Sequence, residues 1–176
     1  MKDTRKDIID ILLKSYVAYY NITDFGTKRE PLRALCEYYE HAEKYMVSKK
    51  VSLWAADSEE FIYLFDVPHL TAEIFEACKK TAYEDGMDRL HIGPGHMYSY
   101  ITPIIVCDTC DEAAIKALKK CHIYKSFRFS FHGWMDFHAA AVIGDSDRIE
   151  SNRAGRSTAK ILKKVLYSKK RKGEFV

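Results

Sequence analysis

Three cysteines and a histidine fall within sixteen positions, in the stretch CDTCDEAAIKALKKCH at residues 107–122. Thiolates and imidazoles are the side chains that zinc prefers as ligands. The same stretch also has the pattern of a helix, because Thr109 and Glu112 fit the S/T-x-x-E capping box and two lysines stand at its end. A helix would place Cys110 and Cys121 roughly 16 Å apart, at ~1.5 Å per residue. Zinc–sulfur bonds of ~2.3 Å cannot bridge that distance, so we predict no metal site.

Cys107 and Cys110 form a closer pair, with the C-x-x-C spacing of thiol redox sites. A strand followed by C-x-x-C at a helix N-terminus is the placement that thioredoxin-like proteins use, where the helix dipole lowers a thiol pKa. That fold also needs a later proline beside the pair, whereas all four prolines of this chain precede the motif. Asp111 and Glu112 would oppose a thiolate in the first helical turn. We therefore expect both cysteines to be buried apolar side chains.

A second candidate site lies in the segment YKSFRFSFHGWMDFH at residues 124–138. Its aromatic and polar alternation predicts a β-hairpin around Gly133, with either a two-residue or a three-residue loop. We choose the three-residue loop because that register separates apolar from polar side chains. The chosen register places Arg128 beside Asp136, and His138 on the same polar face.

This polar face could do acid–base chemistry if the loop before it contributes a histidine. Asp136 would orient His138 as a general base, Arg128 would hold an anion, and His96 would come from the loop containing IGPG. The alternative is a structural ion pair between Arg128 and Asp136 across the two strands. The candidate catalytic residues are His96, Arg128, Asp136 and His138.

A third candidate site is the sequence NRAGRST at residues 152–158, which leads into a predicted helix. Its guanidinium groups and the backbone N–H groups of the helix start would suit a phosphate or carboxylate, with Ser157 as the cap. Such basic glycine-containing loops are common, so a solvated turn is the alternative.

Positive charge is concentrated in the last part of the chain. Residues 148–176 contain ten Lys and Arg against two Glu, a net charge of +8 within a total of +3, so residues 1–147 carry −5. A basic segment of this kind contacts phosphates without reading bases, although a frayed and solvated tail is the alternative. The predicted anion-binding residues are Arg153, Arg156, Ser157, Lys169, Lys170 and Arg171.

The elements that must position these residues are predicted from apolar spacing. A strand at 103–107, a helix at 110–121 and a strand at 124–131 predict a right-handed βαβ unit. Two hairpins, at 49–67 and around Gly133, would add antiparallel neighbours. The other predicted helices cover 3–20, 32–46 (with a strand pair as the alternative), 70 to Gly86, and 157 onwards.

Together the elements predict one α+β domain over residues 1–167, with a mixed β-sheet packed against amphipathic helices, and a basic tail at 168–176. No apolar run approaches the roughly 20 residues of a membrane span, and the N-terminus lacks the pattern of a secretory signal. A cytoplasmic protein with reduced cysteines is expected.

The function hypotheses that remain are a binding domain and a small enzyme. The chain contains no G-x-x-x-x-G-K-[ST], G-x-G-x-x-G, G-x-S-x-G or H-E-x-x-H motif, so we predict no cofactor. The first hypothesis is a binding domain for an anionic ligand or nucleic acid, using the basic C-terminal third. The alternative is a small, hydrolase-like enzyme using the His/Asp/Arg pocket.

Overall fold

The computed structural model describes residues 4–46 and 49–168, in which a mixed β-sheet lies between two layers of helices. The helices are α1 (Thr4–Tyr16), α2 (Ala72–Arg89), α3 (Glu112–Lys120) and α4 (Arg156–Tyr167). The strands are β1 (Asn21–Asp24), β2 (Leu32–Met46), β3 (Lys49–Leu70), β4 (His96–Cys110), β5 (Tyr124–Ser126), β6 (Trp134–Phe137), β7 (Ala140–Ile143) and β8 (Arg148–Ser151).

The sheet has an antiparallel half and a parallel half. Strands β1, β2 and β3 pair antiparallel in sequence order, and β4 then pairs parallel with β3. Strands β6 and β7 follow one another along the far side of β4, both parallel to it, while β5 and β8 pair antiparallel with β6 and β7. The predicted α+β architecture with a mixed sheet is confirmed.

Each face of the sheet has its own apolar core. Odd-numbered residues of the central strands, such as Phe61 and Ile101, pack beneath α2 and α3, and we call this side the α2/α3 face. Even-numbered residues, such as Ile62 and Ile104, pack beneath α1 and α4 on the opposite α1/α4 face. Because successive side chains of a strand point to opposite faces, the parity of a residue decides which face it serves along the regular part of these strands. A register shift between His96 and Tyr98 interrupts the rule at the start of β4.

A break between β6 and β7 explains the position of Pro103 in the middle of β4. Ile101 O accepts a hydrogen bond from His138 N at 2.9 Å, just where β6 ends. Alternate residues of a strand turn their backbone groups toward the same neighbouring strand, so Pro103, like Ile101, faces this break. Because no strand pairs with β4 at the break, the missing N–H of Pro103 removes no hydrogen bond from the sheet. The prediction that Pro103 stands near the strand start is wrong, because β4 begins at His96.

Two predictions for the N-terminal half are wrong. Residues 32–46 form strand β2 and not a helix, with Ala34 buried in one core and Leu35 in the other. Residues 49–70 form one strand, β3, and not a hairpin, because the hairpin partner of β3 is β2. Glu59 and Glu60, which the hairpin at 49–67 would place near its turn, lie within β3 opposite Tyr39 and Tyr38. Glu59 is buried, whereas Tyr39 is exposed.

Two predicted helix ends and the predicted βαβ unit also differ from the structure. Helix α2 continues past Gly86 to Arg89, and Gly86 packs so closely on Ile101 that a Cβ would come within 2.7 Å of its Cδ1. Thr109 lies in β4 and does not cap α3, whose N-cap is Asp111 without a side-chain bond. The βαβ unit from β4 through α3 exists, but the strands parallel to β4 are β6 and β7, and not 124–131.

Candidate functional site

The hairpin that should pair Arg128 with Asp136 has a different register from the predicted one. Asp136 lies opposite Tyr124, and Trp134 opposite Ser126. Residues 127–133 form a loop, with positive φ at Arg128, Phe129, Ser130 and Gly133. The predicted Arg128–Asp136 pairing is therefore wrong. Phe129, expected in the core, is 95 % exposed at the loop surface, and Arg128 is exposed as well.

His96 belongs to a buried hydrogen-bond network on the α2/α3 face. Its Nε2 lies 2.6 Å from Ser99 Oγ, and Ser99 Oγ donates to Glu59 Oε1 at 2.7 Å. Its Nδ1 donates to the backbone oxygen of His132 at 2.6 Å. The Ser99 hydroxyl therefore connects the His96 imidazole to the Glu59 carboxylate.

The network around Glu59 joins loops. Glu59 Oε2 accepts from His91 Nδ1 at 2.8 Å, and Oε1 accepts from His91 N at 3.0 Å, which fastens the loop after α2 to β3. The bond from His96 to His132 fastens the 127–133 loop in the same way. Ser99 is fully buried and His96 is 5 % exposed, so the hydrogen bonds between them lie inside the protein.

Asp136 and His138 do lie together, but on the α1/α4 face. Asp136 Oδ2 is 3.6 Å from His138 Nε2, and the His138 ring stacks on Tyr100 with centroids 4.2 Å apart. Burial lowers the pKa of His138, and the Asp136 and Glu60 carboxylates oppose that change. Because His96 faces the other side of the sheet and Arg128 lies in a loop, the four predicted catalytic residues do not converge.

The NRAGRST segment is organised by the buried side chain of Asn152. Its Oδ1 accepts from Ala139 N at 3.1 Å and from Gly155 N at 2.8 Å. Its Nδ2 donates to Cys121 O at 3.1 Å and to Phe137 O at 2.8 Å. These four bonds tie the end of α3, the break between β6 and β7 and the turn before α4 into one unit. The N-cap of α4 is Gly155, so the prediction that Ser157 caps this helix is wrong.

The turn and the helix after it form one wall of a surface groove of about 500 Å³. The opposite wall comes from the end of α3 and from β8. We call this surface the basic groove, after the five basic side chains that line it. They are Lys119, Arg153, Arg156, Lys160 and Lys163.

The charges in the basic groove are mostly uncompensated. Lys119 forms an ion pair with Glu150 at 2.9 Å. Arg153, Arg156, Lys160 and Lys163 are exposed and form no ion pair with a carboxylate in the part of the chain that the structure describes. Unpaired cations that face the same groove repel one another, and a bound anion relieves that repulsion.

Sequence reasoning found only part of this groove. Arg153 and Arg156 were predicted, and Ser157 is exposed in the first turn of α4 beside them. Lys160 and Lys163 were missed, although their spacing of four and seven residues from Arg156 places them on one helical face. Lys119 could not be found by spacing, because the fold brings α3 to α4. The predicted Lys169, Lys170 and Arg171 lie outside the described residues.

The environment of the cysteine pair disfavours a thiolate, although Cys110, which was expected to be buried, is only partly buried. Cys107 is fully buried, and burial raises the pKa of its thiol to about 12. Burial also raises the pKa of the Cys110 thiol, although Arg148 opposes the change. Neither thiol has the lowered pKa of a redox nucleophile. Among the side chains that the structure describes, no three from His, Cys, Asp or Glu are grouped so that they could hold a metal ion.

Comparisons with known proteins place the chain in a family. Neither the curated proteins nor the solved structures contain a match. A family model described as "Domain of unknown function (DUF8052)" matches residues 4–164, which run from the start of α1 almost to the end of α4. The match covers the sheet, both helical layers and the whole basic groove. This chain is therefore a member of the DUF8052 family.

Proposed function

We propose that this chain binds the phosphate backbone of a nucleic acid in its basic groove. The observation that carries the proposal is the convergence of Arg153, Arg156, Lys160 and Lys163 on one groove without a described carboxylate partner. Guanidinium groups bind phosphate through paired hydrogen bonds, and lysines add point charges along the backbone. Release of condensed counterions then supplies much of the binding free energy.

The length of the groove favours a polyanion over a single phosphate. From Arg156 to Lys163, helix α4 rises roughly 10 Å at ~1.5 Å per residue. Lys119 and Arg153 extend the positive surface across the groove, toward the end of α3. One phosphate group could neutralise only part of this surface. We propose that Lys169, Lys170 and Arg171 of the C-terminal tail add further phosphate contacts.

A charge-neutralising variant tests the proposal. Replacing Arg153→Gln and Arg156→Gln together should weaken binding of a fluorescently labelled single-stranded DNA or RNA by roughly thirtyfold at low salt, because each of the two charged contacts contributes on the order of 1 kcal/mol. The slope of log K against log salt should also become shallower, by about 0.7 for each lost phosphate contact. Fluorescence anisotropy at low and moderate salt measures both quantities.

The matched control is the pair Lys14→Gln and Lys80→Gln, which removes the same charge from exposed positions on α1 and α2. This control should bind almost as well as the unchanged chain. Equal losses in both variants would show that binding depends on total charge and not on the groove. Failure of the unchanged chain to bind either strand at low salt would contradict the proposal altogether.

We also propose a reducing compartment, as in the cytoplasm, for this chain. The support is chemical: all five cysteines are free thiols, and three of them are buried in the two cores. Reduced thiols persist where cellular reductants keep them so. Separately, no helix in the described ranges is long and apolar enough to cross a membrane.

A further inference from the structure

A group of aromatic side chains occupies the part of the α1/α4 face that lies beyond the two helices. One row across the strands holds Tyr38, Glu60, Tyr100, Asp136 and Tyr124, each opposite the next. The adjacent row holds two more aromatic side chains, which lie opposite one another on β4 and β6. We call the five rings the aromatic platform: Tyr38, Tyr98, Tyr100, Tyr124 and Trp134.

The aromatic platform is not part of the core. The buried cluster beneath α1 and α4 begins at Ile62 on β3 and at Ile104 on β4, further along both strands. The rings of the platform are partly exposed, and Tyr124 is 50 % exposed. Five large rings at the surface of one sheet face are unusual, because such side chains bury well and are enriched at binding surfaces.

The rings are already ordered with respect to one another. Tyr98 lies 4.8 Å from Tyr100 and 6.0 Å from Trp134, measured between ring centroids, with interplanar angles of 30° in both pairs. The rings of both pairs are tilted against one another, so they form a compact aromatic cluster and not a parallel stack. A further flat ring system can pack on an exposed face of this cluster without a large loss of side-chain entropy, because the sheet holds its members.

The aromatic platform continues directly into the basic groove. Tyr124 and Asp136 line the same surface depression as Lys119, Lys120 and Arg153, with a volume of about 560 Å³. Lys119 and Arg153 are also members of the basic groove. The cations that would hold phosphates therefore stand at the edge of the rings that could hold bases.

Both carboxylates on the platform accept hydrogen bonds from groups of the protein itself. Glu60 accepts hydrogen bonds from Tyr20 Oη at 2.7 Å and from Thr102 Oγ1 at 2.9 Å. Asp136 accepts from Phe137 N at 2.9 Å and lies beside His138. Its side chain is 28 % exposed, which leaves it able to accept from the amino group of a base.

We propose that the ligand is a single-stranded nucleic acid, whose phosphates lie in the basic groove and whose bases stack on the aromatic platform. This inference rests on the proposed function and specifies its substrate class. A positively charged groove beside stacking aromatic rings is how proteins hold single strands without sequence preference. A duplex fits less well, because its bases already cover one another's faces. A neutral oligosaccharide would use the rings and leave the adjacent cations without a role.

The test compares two labelled strands with the same number of phosphates. One is a fifteen-nucleotide oligothymidine, and the other is an abasic strand of equal length that keeps the sugar and phosphate but has no bases. The full-length chain should bind the oligothymidine roughly 5- to 150-fold more tightly, the range that one stacked base corresponds to. The variants Trp134→Leu and Tyr98→Leu, made separately, should lose this preference and keep the affinity for the abasic strand.

The control variant is Tyr39→Leu, which removes an exposed ring of β2 from the opposite face beside Tyr38. It should keep the full preference for bases, and thermal unfolding identifies any variant that fails to fold. Equal affinity of the unchanged chain for both strands would overturn the stacking proposal while leaving the groove proposal standing. Absence of binding to both strands at low salt would overturn both. If the chain bound a neutral oligosaccharide, or the duplex of the oligothymidine with its complement, more tightly than the single-stranded oligothymidine, the single-strand assignment would be overturned.

Discussion

His138 is a buried imidazole held between an aromatic ring and a carboxylate. Its side chain stacks on Tyr100, lies beside Asp136 and is 9 % exposed. Burial disfavours the imidazolium, and lowers the pKa of His138 from its ordinary value of 6.5, although Asp136 and Glu60 oppose the change. The free energy of unfolding should therefore depend on pH through His138.

Because the folded pKa is below the unfolded one, the unfolded chain takes up a proton that folded His138 resists. This contribution should destabilise the protein as the pH falls below about 6.5, the unfolded value. The variant His138→Phe keeps a ring on Tyr100 without a titrating group, so its free energy of unfolding should fall less between pH 7 and pH 5. Urea denaturation at both pH values measures the difference. Equal falls in the two proteins would show that His138 titrates alike in the folded and unfolded states.

At the scale of elements, Asn152 is the joint between three parts of the fold. Its side chain satisfies backbone groups at the end of α3, at the break between β6 and β7 and at the start of α4. These three parts of the fold are well separated in sequence. The basic groove depends on this joint, because α3 and α4 supply its two walls.

Replacing Asn152→Ala should lower the free energy of unfolding by roughly 1–3 kcal/mol or more, since several buried backbone groups lose their partner. The same change should weaken nucleic-acid binding although it removes no charge. Thermal or urea unfolding checks the first effect and anisotropy the second. The exposed Asn21→Ala serves as the control for residue type. A variant as stable as the control would mean that water or neighbouring groups replace the side chain.

The elements that sequence reasoning found have a simple apolar spacing. Helices α1, α3 and α4 each bury one stripe, so a period near 3.6 residues is visible. In strand β2 the apolar spacing is misleading, because Leu35, Tyr38 and Tyr39 have the spacing of a helix although the chain there is extended. Strand β3 is buried on both faces in its centre and therefore shows no alternation. Glu59 and Glu60 suggested a turn because they are charged residues between two apolar stretches. The groups that bond to them inside the fold come from distant parts of the chain, so the sequence did not indicate that they could lie in a strand.

The candidate site, too, could be predicted only where its residues are close together in sequence. Arg153 and Arg156 could be predicted because they are neighbours in sequence, beside a glycine and ahead of a helix. The hairpin register could not, because three consecutive residues with positive φ shorten β5 and no residue type signals that conformation. The aromatic platform was not visible either, since its rings come from four strands whose order only the fold determines.

At the scale of the whole molecule, the two faces of the sheet have different roles. The α2/α3 face is closed by helices and holds the buried network of Glu59, Ser99 and His96. The α1/α4 face is covered only in part, and its uncovered rows carry the aromatic platform next to the basic groove. The uneven charge along the chain thus becomes a local positive surface, formed where the ends of α3 and α4 meet.

If nucleic acid binds at the basic groove and not over the surface at large, the bound strand should perturb only the residues around that groove. A residue-resolved NMR titration of the isotope-labelled chain with an unlabelled single strand can locate these residues. We expect backbone shift changes concentrated in residues 119–124 and 152–163, with residues of α2 unchanged as an internal reference. Shift changes spread evenly over all exposed lysines, or centred on α2, would rule out binding at the groove.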